Sequence, residues 1–160
     1  MGTEELRWLF EKAGQMESIV EIGAWMGKST HALCSGCPGI VIAVDHFMGC
    51  PVERTTSHIE ATQRDISQDF WKNVGHFKNL SLLKIDSVKA AGLFKPKTID
   101  MIFIDASHEY QDFKADLLGW LPICRKLIGG HDIGYQSVRQ AVEELGKPYS
   151  VIGSNWSIEL

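Results

Sequence analysis

The chain has 160 residues, 44% of them hydrophobic and 22% charged. That is long enough to bury a core and leaves no room for a large second domain, so one domain over 1–160 is expected. Sixteen Lys and Arg against twenty Asp and Glu leave a net charge of −4, which gives no general attraction to nucleic acid or anionic lipid. No apolar run approaches the ~20 residues of a membrane span, and the charged N-terminus lacks a secretion-signal pattern. Partners other than nucleic acid and membrane, and a cytoplasmic location, are therefore expected.

In chain order, Thr3 is placed to cap a helix whose first turn carries Glu4 and Glu5 and whose apolar residues Leu6, Leu9, Phe10 and Ala13 recur at helical spacing before Gly14. Residues 1–15 are thus an N-terminal helix preceding a core over 16–160. Ser18–Ile22 reads as a buried strand, Ser29–Cys34 as a helix and Ile40–Val44 as a second strand. A loop over 46–57 leads to a mostly helical stretch from Ile59 to Phe77, broken near Gly75. Leu80–Ile85 is a third strand, Ser87–Phe94 a short helix and Ile99–Ile104 a fourth strand. Asp112–Arg125 is a helix shortened by Pro122, and Lys126–Gly130 is a fifth strand. Gln136–Leu145 is an amphipathic helix, and Tyr149–Ile152 with Trp156–Leu160 closes the chain as a hairpin. Apolar strands alternating with helices imply a parallel sheet covered on both faces, with the hairpin adding one antiparallel strand at an edge.

The cysteines are Cys34, Cys37, Cys50 and Cys124. Cys34 and Cys37 form a C-x-x-C, but a structural zinc site needs four ligands and no second pair follows. The motif closes a helix at Ser35–Gly39, so reduced thiols at a helix end are expected. Trp71, Trp120 and Trp156 are expected in the core or against the sheet.

In an open α/β sheet, ligands bind outside the carboxyl ends of the strands. Those ends carry Glu21, Asp45, Asp86, Asp105 and the pair His131-Asp132. Acids converging on one rim repel one another unless a cation or polar ligand joins them. After the first strand, Gly23-Ala24-Trp25-Met26-Gly27-Lys28-Ser29-Thr30 is one residue short of a P-loop and differs from G-x-G-x-x-G. A glycine turn followed by a helix start suits a carboxylate-tailed ligand better than a pyrophosphate. Asp45, at the end of the second strand, is placed either to accept the hydroxyls of a ribose or simply to make a strand-end turn. Trp25 either covers a ligand or lies on the surface. Tyr110 and Asp116 are assigned to helix packing and capping.

The stretches VEIGAWMGKST, VIAVDHF and KIDSVKAA resemble the first three motifs of class I S-adenosylmethionine-dependent methyltransferases. The distal stretch IDMIFIDASHEYQDFKADLLGWLPICRKLIGGHDIG is similar to that of a small subgroup akin to macrolide-sugar O-methyltransferases and cephalosporin-hydroxylase-like proteins. The resemblance covers about residues 16–160. It implies a three-layer αβα Rossmann-like sandwich with a mostly parallel seven-stranded sheet, one antiparallel edge strand, and the order 3-2-1-4-5-7-6. It implies S-adenosylmethionine as cofactor, with Glu21, Gly23, Ala24, Trp25, Gly27 and Ser29 around its methionine end. Asp45 would hold the ribose, His46 or Phe47 would flank the adenine, and Asp86 and Ser87 would sit at the adenine rim.

Asp105 would lie beside the sulfonium. In metal-using relatives the corresponding ligands are Asp105, His131 and Asp132. His131 departs from the acids usual there, so the alternatives are a metal softer than magnesium, or none with His131 as a base. The implied catalytic set is Asp105, His108 and His131, and the acceptor is a small molecule or sugar hydroxyl. Only 1–15 and the loop 46–58 are available to cover an acceptor, so the alternatives are an open acceptor site or one completed by another subunit of a homo-oligomer. A non-catalytic binding module and an NAD-dependent oxidoreductase are the competing readings, the latter disfavoured by the glycine spacing.

Overall fold

In the computed structural model, residues 1–49 and 56–160 are described, with the side chains of 56–58 excepted. Cys50 and part of the expected loop over 46–57 lie outside the described residues. The elements are α1 (Thr3–Ala13), β1 (Ser18–Ile22), α2 (Lys28–Gly36), β2 (Ile40–Val44), α3 (Thr56–Gln63), α4 (Ser67–Val74) and β3 (Leu80–Leu83). They continue with α5 (Ser87–Ala91), β4 (Ile99–Ile104), α6 (Tyr110–Trp120), β5 (Cys124–Gly130), α7 (Gln136–Glu143), β6 (Ser150–Ile152) and β7 (Asn155–Glu159).

The seven strands form one sheet in the order β3-β2-β1-β4-β5-β7-β6, as expected from the motifs. All neighbours among β1 to β5 pair in parallel, and β7 runs antiparallel to both β5 and β6. The antiparallel strand therefore stands one place in from the edge, which β6 forms. The tight turn at Gly153-Ser154 explains this placement: β6 passes the inner position and β7 folds back into it, pairing Ile152 with Asn155.

Successive strand residues point to opposite faces, and the core divides accordingly. Val20, Ile22, Ile102, Ile104 and Ile128 pack with Phe113, Leu117 and Trp120 of α6 and with Val138 and Val142 of α7. Ile19, Val41, Met101, Phe103 and Leu127 pack on the other face with Trp8, Leu9 and Ala13 of α1 and Leu33 of α2. Ala43 continues that layer with Ile66, Phe70 and Val74 at α4. Among the described residues, no helix is long and apolar enough to cross a membrane.

Several local expectations are corrected. Gly2, not Thr3, is the N-cap of α1, because the Glu5 carboxylate turns back to accept the Gly2 N–H. The stretch from Ile59 to Phe77 is two helices: Asp65 accepts the Ser67 N–H and its hydroxyl, starting a new turn where α3 ends. Trp120 and Trp156 are buried, but Trp71 is 45% exposed, since the packing face of α4 is taken by Phe70 and Val74. Cys34, Cys37 and Cys124 are buried free thiols. Burial pushes the Cys34 thiol up to about 12, so it is inert rather than a redox or metal thiolate.

Candidate active site

Register places the strand ends level. Ile22 stands opposite Val44 and Ile104, and Ile104 opposite Gly130. The next residue of each strand therefore emerges at one rim. The ladder runs one bond further at each: Gly23 N–H donates to Val44, Asp105 N–H to Ile22 and His131 N–H to Ile104. Between β1 and β4 the strand order reverses, the place where this kind of sheet opens a crevice.

Gly23 sits in that crevice with φ +83, and a Cβ there would lie 2.2 Å from the Asp105 carbonyl oxygen. Only glycine lets β1 turn away so close to β4. Gly27, at φ +87, is the N-cap of α2, and a Cβ there would meet Val74 of α4. Its role is packing beneath the loop.

A cavity of about 390 Å³ opens over the rim. Of the residues expected at the cofactor, Gly23, Ala24, Trp25, Ser29, Asp45, His46 and Asp105 line it, with His108 at its far side. A smaller cavity of about 50 Å³ adjoins it and shares Gly23, Asp45, His46 and Ala106; Ser87 lines this second space. Glu21, Gly27 and Asp86 line neither cavity. Asp86 is turned to cap α5, accepting the Lys89 N–H at 3.0 Å. Glu21 is fully buried below the loop, where Thr30 Oγ1 donates to its Oε2 at 2.5 Å and its Oε1 has no hydrogen-bond partner.

Asp45 organises the loops on either side. Its Oδ2 accepts the Trp25 N–H at 2.8 Å and its Oδ1 accepts the Phe47 N–H at 2.6 Å. Trp25 and Phe47 both hold left-handed backbone conformations, φ +50 and +60. Such residues cost roughly 1–3 kcal/mol each and persist only where neighbours hold them. The carboxylate of Asp45 is that restraint for both.

At the far side, His108 Nε2 lies 2.7 Å from Asp132 Oδ2, and its ring stacks on Tyr135 with centroids 4.4 Å apart and planes 2° from parallel. His131 sits among three carboxylates: Nδ1 is 3.1 Å from Asp132 Oδ2 and 3.7 Å from Asp105 Oδ1, and Nε2 is 3.4 Å from Glu5 Oε1. Asp132 is the third non-glycine residue of the rim in the left-handed region, φ +59.

The electrostatics follow from burial and pairing. Burial pushes the Asp105 carboxyl up to about 6, against the attraction of His131 and with added repulsion from Asp132. Burial would also raise Asp132, but the hydrogen bonds with His108 and His131 outweigh it and hold the carboxyl well below its usual range. For His131, burial alone would lower the value, but Asp132, Asp105 and Glu5 together outweigh it and raise the imidazole above its usual range. Both ring nitrogens of His131 thus face carboxylates.

Asp105, His131 and Asp132 offer ligand atoms that all lie within 4.8 Å of one another. Two carboxylates and an imidazole suit a divalent ion of borderline softness. The Glu5 carboxylate at Nε2 would orient Nδ1 toward such an ion, the usual support for a ligating histidine.

Three residues take parts at the site that their sequence positions do not assign them. Glu5 reads as a helix-dipole residue, yet it stands three and four residues before Trp8 and Leu9, on the buried stripe of α1. That spacing was the available signal. It carries the carboxylate to His131 and to the Ser154 N–H, at 2.7 Å. Thr30, like Glu5, is a polar residue on a buried helix face. Tyr135 had no signal, since only the fold brings it over His108.

Glu21 carries a separate expectation. Burial, against the pull of the neighbouring Ser29 and Thr30 hydroxyls, raises its carboxyl from 4.5 to about 7. The folded state then binds this proton more tightly than the unfolded state. The resulting stabilisation is full below about pH 4.5 and lost as pH rises through about 7. Glu21→Gln removes this dependence. Thermal melts across that range should show the variant losing less stability than the parent as pH rises; parallel curves would contradict the assignment.

The fold and the rim together define a Rossmann-like domain with a nucleotide-type crevice beside an acid–histidine cluster. The family model for a methyltransferase domain matches residues 20–133, more than half of the chain, and the chain belongs to that family. No curated protein matches its sequence.

Solved structures share the fold at low identity. An O-methyltransferase from Bacillus cereus in complex with SAH is 20% identical, with a TM-score of 0.61, over 100% of this chain and 82% of that one. TomG from Streptomyces achromogenes, an O-methyltransferase of tomaymycin synthesis in complex with SAM, is 16% identical with a TM-score of 0.64, over 100% and 80%. CalS11, a TDP-rhamnose 3'-O-methyltransferase of calicheamicin biosynthesis, is 12% identical with a TM-score of 0.64, over 97% and 76%. The family and the sheet order expected from the motifs are thus borne out.

Proposed function

We propose that this chain is an S-adenosylmethionine-dependent O-methyltransferase acting on a hydroxyl of a small molecule or sugar. The observation that carries the reading is the position of Asp45, a carboxylate at the end of β2 that lines both adjoining cavities. The ribose hydroxyls fit at Asp45, the adenine in the smaller apolar space, and the methionine end along Gly23, Ala24 and Ser29. The cofactor agrees with the SAH and SAM named for the Bacillus and Streptomyces proteins, and the acceptor class agrees with the tomaymycin and TDP-rhamnose enzymes.

Methyl transfer breaks the carbon–sulfur bond of the sulfonium and forms a carbon–oxygen bond in line with it. The protein positions the two partners and accepts the hydroxyl proton. Asp105, within the cavity, places negative charge where the sulfonium lies. His108 faces the same cavity, and with Asp132 ionised its Nε2 proton is directed to that carboxylate, so Nδ1 is the basic nitrogen of the neutral ring. Tyr135 holds the ring plane by stacking. His131 stands between Asp132 and Asp105, where its proton, when bound, would hold the two carboxylates together. With His131 neutral, a divalent ion held by Asp105, His131 and Asp132 would take the place of that proton and act as a Lewis acid toward the acceptor oxygen.

Calorimetric titration with S-adenosylhomocysteine tests the reading. Binding in the micromolar range is expected, and no heat at high micromolar concentration would overturn it.

A further inference from the structure

Asp116 is an acid on the inward face of α6, 4% exposed, packed in line with Phe113, Leu117 and Trp120. It caps nothing: Glu109 is the N-cap of its helix, and Asp116 lies two turns further on. Burying a carboxylate there is costly unless a donor meets it. The donor is the Ser87 hydroxyl, which gives its proton to Asp116 Oδ1. Ser87 in turn lines the smaller cavity, whose other walls include Ile22, Val44, Ile85 and Ala106.

A serine hydroxyl has one proton and two lone pairs. An ionised carboxylate only accepts, so the proton of Ser87 is committed to Asp116, and the oxygen can act toward the cavity as an acceptor only. Burial, against the Ser87 bond, pushes the Asp116 carboxyl up to about 6, which leaves it ionised at mildly alkaline pH. An acceptor at the edge of an apolar slot pairs with an exocyclic amino group and opposes a carbonyl oxygen.

We propose that Asp116 is a specificity-determining positioning residue: through Ser87 it makes the base slot select the 6-amino group of adenine over a 6-oxo purine. The proposal rests on the reading of the smaller cavity as the adenine site. Asp116 touches neither the donor nor the acceptor. It sets the polarity of the hydroxyl that does.

The test compares S-adenosylhomocysteine with S-inosylhomocysteine, its 6-oxo counterpart, by calorimetry at about pH 8, where Asp116 is ionised. The parent protein is expected to prefer the adenine ligand. In Asp116→Asn the amide can donate to Ser87 and release its proton toward the base, so the preference should fall by about tenfold while the melting temperature is retained. Ser87→Ala should lower the preference similarly, and the double variant should go no further than either alone. Ser87→Ala carries the measurement if Asp116→Asn folds poorly. An unchanged preference in the folded variants, or an equal loss of affinity for both ligands, would assign Asp116 to packing alone and overturn the proposal. Failure of the parent to bind either ligand would instead reject the cofactor reading itself, and this proposal with it.

Discussion

Asp132→Ala is expected to lower methyl transfer by about a hundredfold or more, the usual scale for losing a positioned proton acceptor. Asp132 Oδ2 is the common partner of His108 Nε2 and His131 Nδ1. Its removal therefore acts on both rings. His108 loses the carboxylate that sets its tautomer, and His131 loses the strongest of the groups that favour its charge.

Asp105 then stands beside an imidazole no longer fixed toward it. Asp105→Ala should be comparably severe through the loss of charge beside the sulfonium. The measurement is transfer of labelled methyl groups to a panel of sugars and small hydroxyl compounds, scored on the acceptor that the parent protein uses best. Binding of S-adenosylhomocysteine should change much less than turnover in Asp132→Ala, since Asp132 lines neither cavity. Full activity in both variants would reject the strand-end cluster as the catalytic centre.

Asp45→Ala is expected to weaken S-adenosylhomocysteine binding by about tenfold or more, since hydrogen bonds to a charged group contribute ~1.5–3 kcal/mol. Two losses combine. The carboxylate no longer accepts the ribose hydroxyls. The N–H groups of Trp25 and Phe47 also lose their acceptor, so the two left-handed residues that Asp45 restrains, one of them at the cavity wall, are no longer held. Asp45→Asn separates these effects: one amide oxygen can keep one loop in place while the charge is gone. Its affinity should fall between the parent and Asp45→Ala. Unchanged affinity in Asp45→Ala, read by calorimetry, would remove the ribose assignment and leave the residue as a loop restraint only.

The sequence by itself determined the class of fold, and did so through periodicity. Runs such as IVIAV, and IDMIFI with Asp100 as its one polar residue, read as strands of a sheet covered on both faces, and parallel strands flanked by helices are the arrangement that buries them. The level rim was legible too, because β2, β4 and β5 are followed directly by Asp45, Asp105 and His131. The glycine turn was readable because a left-handed, close-packed backbone admits no side chain at Gly23.

What each rim residue does was decided only by tertiary structure. Asp86 and Asp45 are both strand-end acids, yet Asp86 turns away to cap α5 while Asp45 ties two loops at the cavity. Nothing local separates them. The difference lies in which N–H groups the fold brings within reach. Glu5 and Asp116 show the same limit. Each is distant in sequence from its partner, His131 or Ser87, and each acquires its part only when a helix packs its apolar stripe against the sheet and carries one buried carboxylate with it.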